Sequence, residues 1–212
     1  MGTRVEVDVN IVNMSGDRSY HHGNLRRALL DEGLQLLAEV GPHTFSLNAL
    51  ARRVGVSVAA PYRHFADRNS LLDAIADEGY ELFHDALKGA ISGAADEGDA
   101  IARIGLAYLD FAAQHKPQFG IMFRDREGRP NDVGAASFHT FAGAVVAAQA
   151  AGYLDPHADP RSLGRSIWSI LHGAAVLDAY GGFSKLGLEI DRTPLAQELI
   201  GPFIRDPKAD GS

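Results

Sequence analysis

Apolar residues recur every three or four positions from about residue 25 onward, the spacing of helices that bury one face. Leu25, Leu29, Leu36 and Val40, with Ala28 and Leu37 alongside, form the first such stripe. Gly41-Pro42 ends it, the glycine relieving the C-terminal backbone and the proline refusing to continue the helix. Ser46 is placed to cap a short second helix reaching Val54, whose Leu47, Leu50, Ala51 and Val54 face inward. Gly55-Val56-Ser57 then makes a turn. Ser57 is the expected cap of a third short helix over residues 58–65, and Asp67 that of a fourth over residues 69–90, with Leu72, Ile75, Ala76, Gly79, Phe83 and Leu87 inward. Four helices so closely spaced predict a compact bundle.

Residues 93–98 are small, acidic and turn-rich, marking a boundary. Beyond it the helical spacing returns at 100–115, in a broken segment at 117–123, and at 132–151, 160–180 and 194–204. Breaker-bearing loops at 124–130, 152–156, 181–182 and 191–194 separate these stretches. The alternating run from Val5 to Ile11 has no second strand nearby to pair with, so residues 1–17 read as a disordered or loosely attached tail, with Met14 an alternative start. The expected fold is all-α.

Composition narrows the chemistry. A chain of 212 residues, 46% hydrophobic, can bury a proper core, which excludes disorder over most of its length. The absence of cysteine excludes disulfides, thiolate zinc sites, iron–sulfur clusters and a cysteine nucleophile. No run approaches the roughly 20 apolar residues that cross a bilayer, and the amino terminus lacks the basic-then-apolar order of a signal peptide, so a cytoplasmic protein with no membrane partner is expected. The net charge of −7 argues against a polyanionic partner only until its distribution is followed. Residues 18–70 hold seven arginines against four carboxylates, whereas residues 71–212 hold 12 basic and 20 acidic side chains. An arginine-only block on an acidic body is the asymmetry of a small nucleic-acid-reading head on a larger module.

The segment from Leu47 to Phe65 carries the strongest signal. A helix-turn-helix crosses two short helices steeply, which needs a small residue at the contact, a glycine in the turn and apolar residues in the wedge. Ala51, Gly55, and Leu50 with Val54 and Val56 meet those needs in order. Tyr62, Arg63 and His64 cluster at the end of the third helix, and the hydroxyls of Ser46 and Ser57 sit at helix starts, where anions are already favoured. Tyr62 and Phe65 also fit as core aromatics, although a buried Tyr62 ring would still leave its hydroxyl able to reach a phosphate.

Gly55-Val56-Ser57-Val58-Ala59-Ala60-Pro61-Tyr62-Arg63-His64-Phe65-Ala66-Asp67-Arg68, followed by Leu71-Leu72, resembles the DNA-binding domain of TetR/AcrR-family transcriptional regulators. The lead-in from Tyr20 to Arg26 resembles that of a large subset of the family. Trp168, His172 and Gly173 resemble the residues after which the WHG-type C-terminal domain is named. The resemblance implies an N-terminal three-helix helix-turn-helix head at 18–68, joined by the fourth helix to a larger helical effector-binding and dimerisation domain at 69–212. It also implies a homodimer on a palindromic operator in double-stranded DNA. By the same resemblance Val58, Ala59, Ala60, Arg63 and Asn48 face bases, while Ser46, Ser57, Tyr62, His64 and Arg68 face phosphates. Val58 to Ala60 are small and apolar, so hydrogen-bonded discrimination falls to Arg63, Asn48 or flanking arginines. Tyr20, with Arg18, His21 and His22, precedes the first helix and is the lead-in residue best suited to follow the duplex.

For the C-terminal half the resemblance implies a small-molecule effector. Its candidate wall is Phe111, Phe119, Met122, Phe123, Phe138, Trp168 and His172, with Tyr108 and Phe141 nearby. Trp168 and His172 lie one helical turn apart. Aromatic residues at this spacing also build ordinary cores. Gly164, Gly173, Ala174 and Ala175 let helices approach closely, either across a dimer seam or within one subunit. No Gly-x-Ser-x-Gly, His-Glu-x-x-His, phosphate loop or dinucleotide fingerprint occurs, so neither an enzyme nor a cofactor or metal site is expected. The expected function is a dimeric repressor released by a ligand; the alternative is a DNA-binding regulator without a small-molecule effector, responding to a protein or acting architecturally.

Overall fold

The computed structural model describes residues 25–208, in which every regular element is helical. The tail at 1–17 and the lead-in residues Arg18, Tyr20, His21 and His22 lie outside the described residues. The order is α1 (Leu25–Thr44), α2 (Leu47–Val54), a 3-10 turn (Pro61–Arg63), α3 (Arg68–Ser92), α4 (Glu97–Gln114), α5 (Lys116–Met122), α6 (Asp132–Ala150), α7 (Pro160–Ala179), α8 (Gly182–Lys185), α9 (Arg192–Ile200) and a closing 3-10 turn (Gly201–Phe203).

Capping explains most of the helix starts. Ser46 Oγ accepts the Ala49 amide at 3.2 Å, as the sequence predicts. Asp67 and Ser70 form a reciprocal box at the head of α3, with Ser70 N to Asp67 Oδ1 at 2.6 Å and Asp67 N to Ser70 Oγ at 3.1 Å. Such caps contribute about 1 kcal/mol each. Asp96, Asn131 and Asp159 start α4, α6 and α7 in the same way.

The first bundle packs α1, α2 and the opening turns of α3 around Leu29, Leu50, Leu71, Leu72 and Ile75, all fully buried. Burying each of these side chains is worth about 1.5–3 kcal/mol. All six expected inward positions of α3 are buried. This 25-residue helix runs on into the second bundle, where it packs on α4, α5 and α6, while α7 and α9 close the far side of α4.

Several expectations are corrected. The third helix at 58–65 is a run of turns ending in the 3-10 turn Pro61–Arg63. Pro61 has no amide hydrogen to return to Ser57, and the bonds that form are short-range: Ala60 N to Ser57 O at 2.9 Å, Arg63 N to Ala60 O at 3.2 Å and His64 N to Pro61 O at 3.0 Å. Ser57 therefore accepts with its carbonyl rather than capping with its hydroxyl, and the cap position of the 3-10 turn is Ala60. Val40 is 37% exposed and leaves the first stripe, because Gly41 (φ 71°) kinks α1 there before Pro42 to Thr44 resume a last turn. The 181–182 loop opens into the short α8, and the last stretch splits into α9 and a 3-10 turn. By length and composition α6 is apolar enough to cross a bilayer, with mean hydropathy 1.2 over eighteen residues. Here its Phe141, Val145 and Ala148 are buried in a packed bundle, against α3, α4 and α7.

Candidate nucleic-acid interface and internal cavity

The exposed face of the first bundle is built by the turn after α2. Gly55 holds φ 78°, a left-handed conformation, and its amide and that of Val56 close back on the last turn of α2. This directs the following segment outward. Val58 is 55% exposed and Tyr62 52%, whereas Phe65 is 4% exposed beneath the Arg26 guanidinium at 5.1 Å. Of the two open readings, Phe65 is thus the core aromatic and Tyr62 the surface one. Arg63, His64, Ser57 and Ala59 are exposed beside it, and Ala60 is half-buried. Asn48 is exposed on α2, with Arg52 one turn further on. Arg52 was absent from the sequence-level candidates; its place four residues after Asn48 is the signal that finds it.

Arg68 behaves differently. Its guanidinium turns inward, donating to the Phe45 carbonyl at 3.0 Å, to the Pro42 carbonyl and to Asn69 Oδ1 at 3.1 Å. In this conformation it braces the α1–α2 corner instead of facing outward. Ser46 is likewise occupied by its cap.

The second bundle holds a partly open cavity of about 370 Å³, inside the range of small-molecule sites. Tyr80 and Phe83 of α3, Tyr108 of α4, Phe123, Asn131, Phe138 and Phe141 around α6, and Trp168 of α7 line it. Of the candidate wall residues, Phe123, Phe138 and Trp168, with Tyr108 and Phe141, stand here. Phe119 and His172 instead line a neighbouring cavity of about 360 Å³ between α5 and α7, which shares Phe123. Phe111 and Met122 line neither of these cavities and lie in the core. Phe111 is buried against His115 and Phe83, at 4.8 and 5.0 Å between rings, and Met122 is buried beneath α3 with its carbonyl accepting from Tyr80 Oη at 2.6 Å. Tyr80, Asn131 and Ser137 were missed, because only the packing of α6 on α3 brings them to one void.

The hydroxyls of the wall and the Asn131 carbonyl oxygen are engaged. Ser137 Oγ donates to the Tyr80 and Val133 carbonyls at 3.2 Å, and Asn131 Oδ1 accepts the Gly134 amide at 3.0 Å. Tyr108 Oη and His172 Nδ1 share a hydrogen bond at 2.9 Å. Burial pushes both tyrosine hydroxyls up and the His172 imidazole below its usual value, so all three are neutral at neutral pH.

A charged joint connects this cavity to the head. The loop between α5 and α6 sends Arg124, Arg126 and Arg129 onto the first turns of α3. Arg124 donates to Asp73 and to the Asn69 carbonyl at 2.9 Å, Arg129 to Asp73 at 2.6 Å, and Arg126 to Asp77 at 2.6 Å. Arg126 also lies 5.9 Å from the centre of the Tyr80 ring. The loop begins after Phe123 and ends at Asn131, both on the cavity wall.

Comparison with known proteins follows this division. Residues 29–75 match the family model described as bacterial regulatory proteins, tetR family, and residues 101–202 the model described as tetracyclin repressor-like, C-terminal domain. A solved protein of unknown function from Rhodococcus sp. RHA1 is 30% identical, with a TM-score of 0.73 over 89% of this chain and 100% of that one. The fatty acid degradation regulator FadR from Bacillus halodurans is 16% identical, with a TM-score of 0.68 over 83% of this chain and 92% of its own. The TetR family regulator PfmR from Thermus thermophilus is 19% identical, at 0.63 over 81% and 96%. At the last two identities the likeness is one of fold.

Proposed function

The chain belongs to the TetR family of DNA-binding transcriptional regulators, and from that premise we propose that it is a homodimeric repressor, released from a palindromic operator when a small molecule fills the cavity of its C-terminal half. One observation carries this reading: α3 begins directly behind the exposed turn that bears Tyr62, Arg63 and His64, and further along the same helix Tyr80 and Phe83 wall the cavity. In this reading α3 is the helix that joins the reading head, residues 18–68, to the effector body, residues 69–212.

In this reading Val58, Ala59, Ala60, Arg63 and Asn48 meet base edges. Tyr62, His64, Ser57 and Ser46 meet phosphates, together with Tyr20 from the lead-in and Arg68 once it swings out of its corner. Pairing of two copies is needed because one short element reads too few base pairs for useful specificity, whereas two half-sites multiply it. The outer side of α7 and the segment after it supply the pairing face. Ile170, Leu177, Tyr180, Leu186 and Leu188 are exposed there, while Gly164, Ala174 and Ala175 pack within the subunit. Ligand in the cavity tilts α3 and alters the separation of the two heads, lowering operator affinity by as much as the ligand prefers the released form.

The test is an electrophoretic shift on the DNA upstream of the gene, repeated with a panel of small metabolites. Retarded DNA that a metabolite releases supports the proposal. Salt-sensitive binding indifferent to every compound would overturn the effector, leaving a regulator without one, and no shift at low salt would overturn the DNA-bound role itself.

A further inference from the structure

We propose that the effector is an amphipathic anion, with a hydrocarbon tail in the internal cavity and an anionic head held by Arg161 and Arg165; this rests on the ligand-responsive reading above. The first observation is the character of the cavity. No charged side chain lines it, its hydroxyls are hydrogen-bonded within the protein, and beside the Asn131 amide its wall is apolar, so its occupant is recognised there chiefly by apolar contact. Burying hydrocarbon against this wall is favourable, whereas a carboxylate or phosphate inside it would be desolvated without a partner.

The second observation is what lies across the wall. Phe138 and Trp168 also line an outer groove of about 410 Å³ between α6 and α7, with Ala142 and Val146 on one side and Arg161 and Arg165 on the other. Phe138 is half exposed, and it and Trp168 are the two side chains that cavity and groove share. A rotamer change of Phe138 joins the two spaces.

The third observation concerns charge. Eight arginines follow residue 70. Among the described residues, six of them (Arg103, Arg124, Arg126, Arg129, Arg192 and Arg205) have a carboxylate within 4 Å. Arg161 and Arg165 do not. Arg165 donates to Ser162 Oγ at 3.1 Å, and Asp159, which caps α7 through the Ser162 amide, feels the charge of Arg161 without an ion pair within 4 Å. On an acidic body, two guanidiniums one turn apart that form no salt bridge, at the lip of an apolar groove, suit the recognition of an anionic head. The neighbouring cavity that shares Phe123 has Lys116 as its cation without a salt bridge among the described residues, since Arg124 there is bonded to Asp73.

Free carboxylate and acyl-thioester phosphates are two sources of the same head chemistry. The chain's single tryptophan, Trp168, stands on the shared wall and reports filling by its own fluorescence. Titration with dodecanoate, dodecanoyl-coenzyme A and 1-dodecanol, below their aggregation limits, is expected to show one or both anions binding about tenfold tighter than the alcohol. Which anion binds tighter identifies the source. Arg161→Ala with Arg165→Ala should abolish that preference and leave the alcohol's affinity unchanged, whereas Lys116→Ala should leave both unchanged. Equal binding of the alcohol, a preference that survives the double variant, or one lost in Lys116→Ala would each overturn the head assignment and leave the effector reading standing. Anion binding without loss of operator affinity would overturn the effector reading while the ligand chemistry holds. If none of the three probes perturbs Trp168 or the melting temperature, the inference is wrong, and release of DNA by some other metabolite would still uphold the repressor.

Discussion

Replacing Asp73 by alanine leaves three guanidinium groups facing one another at the joint between the head and the cavity. Asp73 is 7% exposed and accepts from both Arg124 and Arg129, with Arg126 Nε 3.8 Å away. Removing one partner of a buried ion pair costs about 3–5 kcal/mol, because the charge left behind is unsolvated. Arg129 keeps about a third of its side chain in water and Arg124 a fifth, so both relax outward and the expected loss is near 3 kcal/mol. For a domain of this size that lowers Tm by about 6–12 °C in calorimetry. Asp73→Asn, which keeps the shape and one acceptor, should fall between. The same variants should reduce the ratio of operator affinities measured with and without effector, since the loop carrying these arginines starts and ends on the cavity wall. A loss under about 1 kcal/mol, the value of a surface pair, would refute the joint as a buried coupling element.

Tyr62→Phe and His64→Ala should each weaken DNA binding about fivefold on all sequences, whereas Arg63→Ala should change the preferred sequence in a selection from random DNA; uniform losses for all three would remove Arg63 from base reading. Leu177→Glu, at a side chain 51% exposed on the outer face of α7, should convert dimer to monomer in sedimentation without lowering the subunit's own melting temperature by more than a degree or two. His172 has a folded-state pKa depressed by burial, so the unfolded chain takes up its proton first. Stability is therefore full above 6.5 and falls as pH drops below that value, by at most about 1.4 kcal/mol per pH unit, and His172→Gln should flatten denaturation midpoints between pH 5 and 7.

What the sequence made legible was local. Caps such as Ser46 and Asp67, the turn glycine Gly55 and the inner stripe of α3 depend on residues within a turn of one another, and each occurs where the spacing puts it. The reading element was mis-drawn at Pro61 for an equally local reason, a missing amide that shifts the hydrogen bonds to three-residue spacing. The cavity was legible in chemistry but not in membership. Phe111 and Phe119 have the same aromatic character and lie one to two turns from their neighbours on the wall, yet one stacks on His115 and the other faces a different void. Tyr80, Asn131 and Ser137 come from elements some fifty residues apart and meet only because α6 lies along α3. Arg68 has the composition of a phosphate ligand and the position of a brace, and nothing before the folded corner distinguishes the two.

The proposed release sets a quantitative demand on the cavity. Moving a two-state regulator from nearly all bound to nearly all released takes a preference of about 10⁴, or roughly 5.5 kcal/mol, for the released form. A head-group contact on the rim survives small tilts of α3 and contributes to both forms, so the preference has to come from tail atoms buried only when Tyr80 and Phe83 have moved aside. At about 0.8 kcal/mol per methylene, some seven methylenes supply it, a length the cavity of about 370 Å³ must then hold in the released form. Straight-chain carboxylates from four to fourteen carbons should accordingly bind with affinity rising along the series, but release DNA only as the chain approaches and passes about eight carbons. A release threshold independent of chain length, or full release by the four-carbon acid at saturation, would mean that the head alone drives the switch and that the tilt of α3 is not powered from the apolar wall.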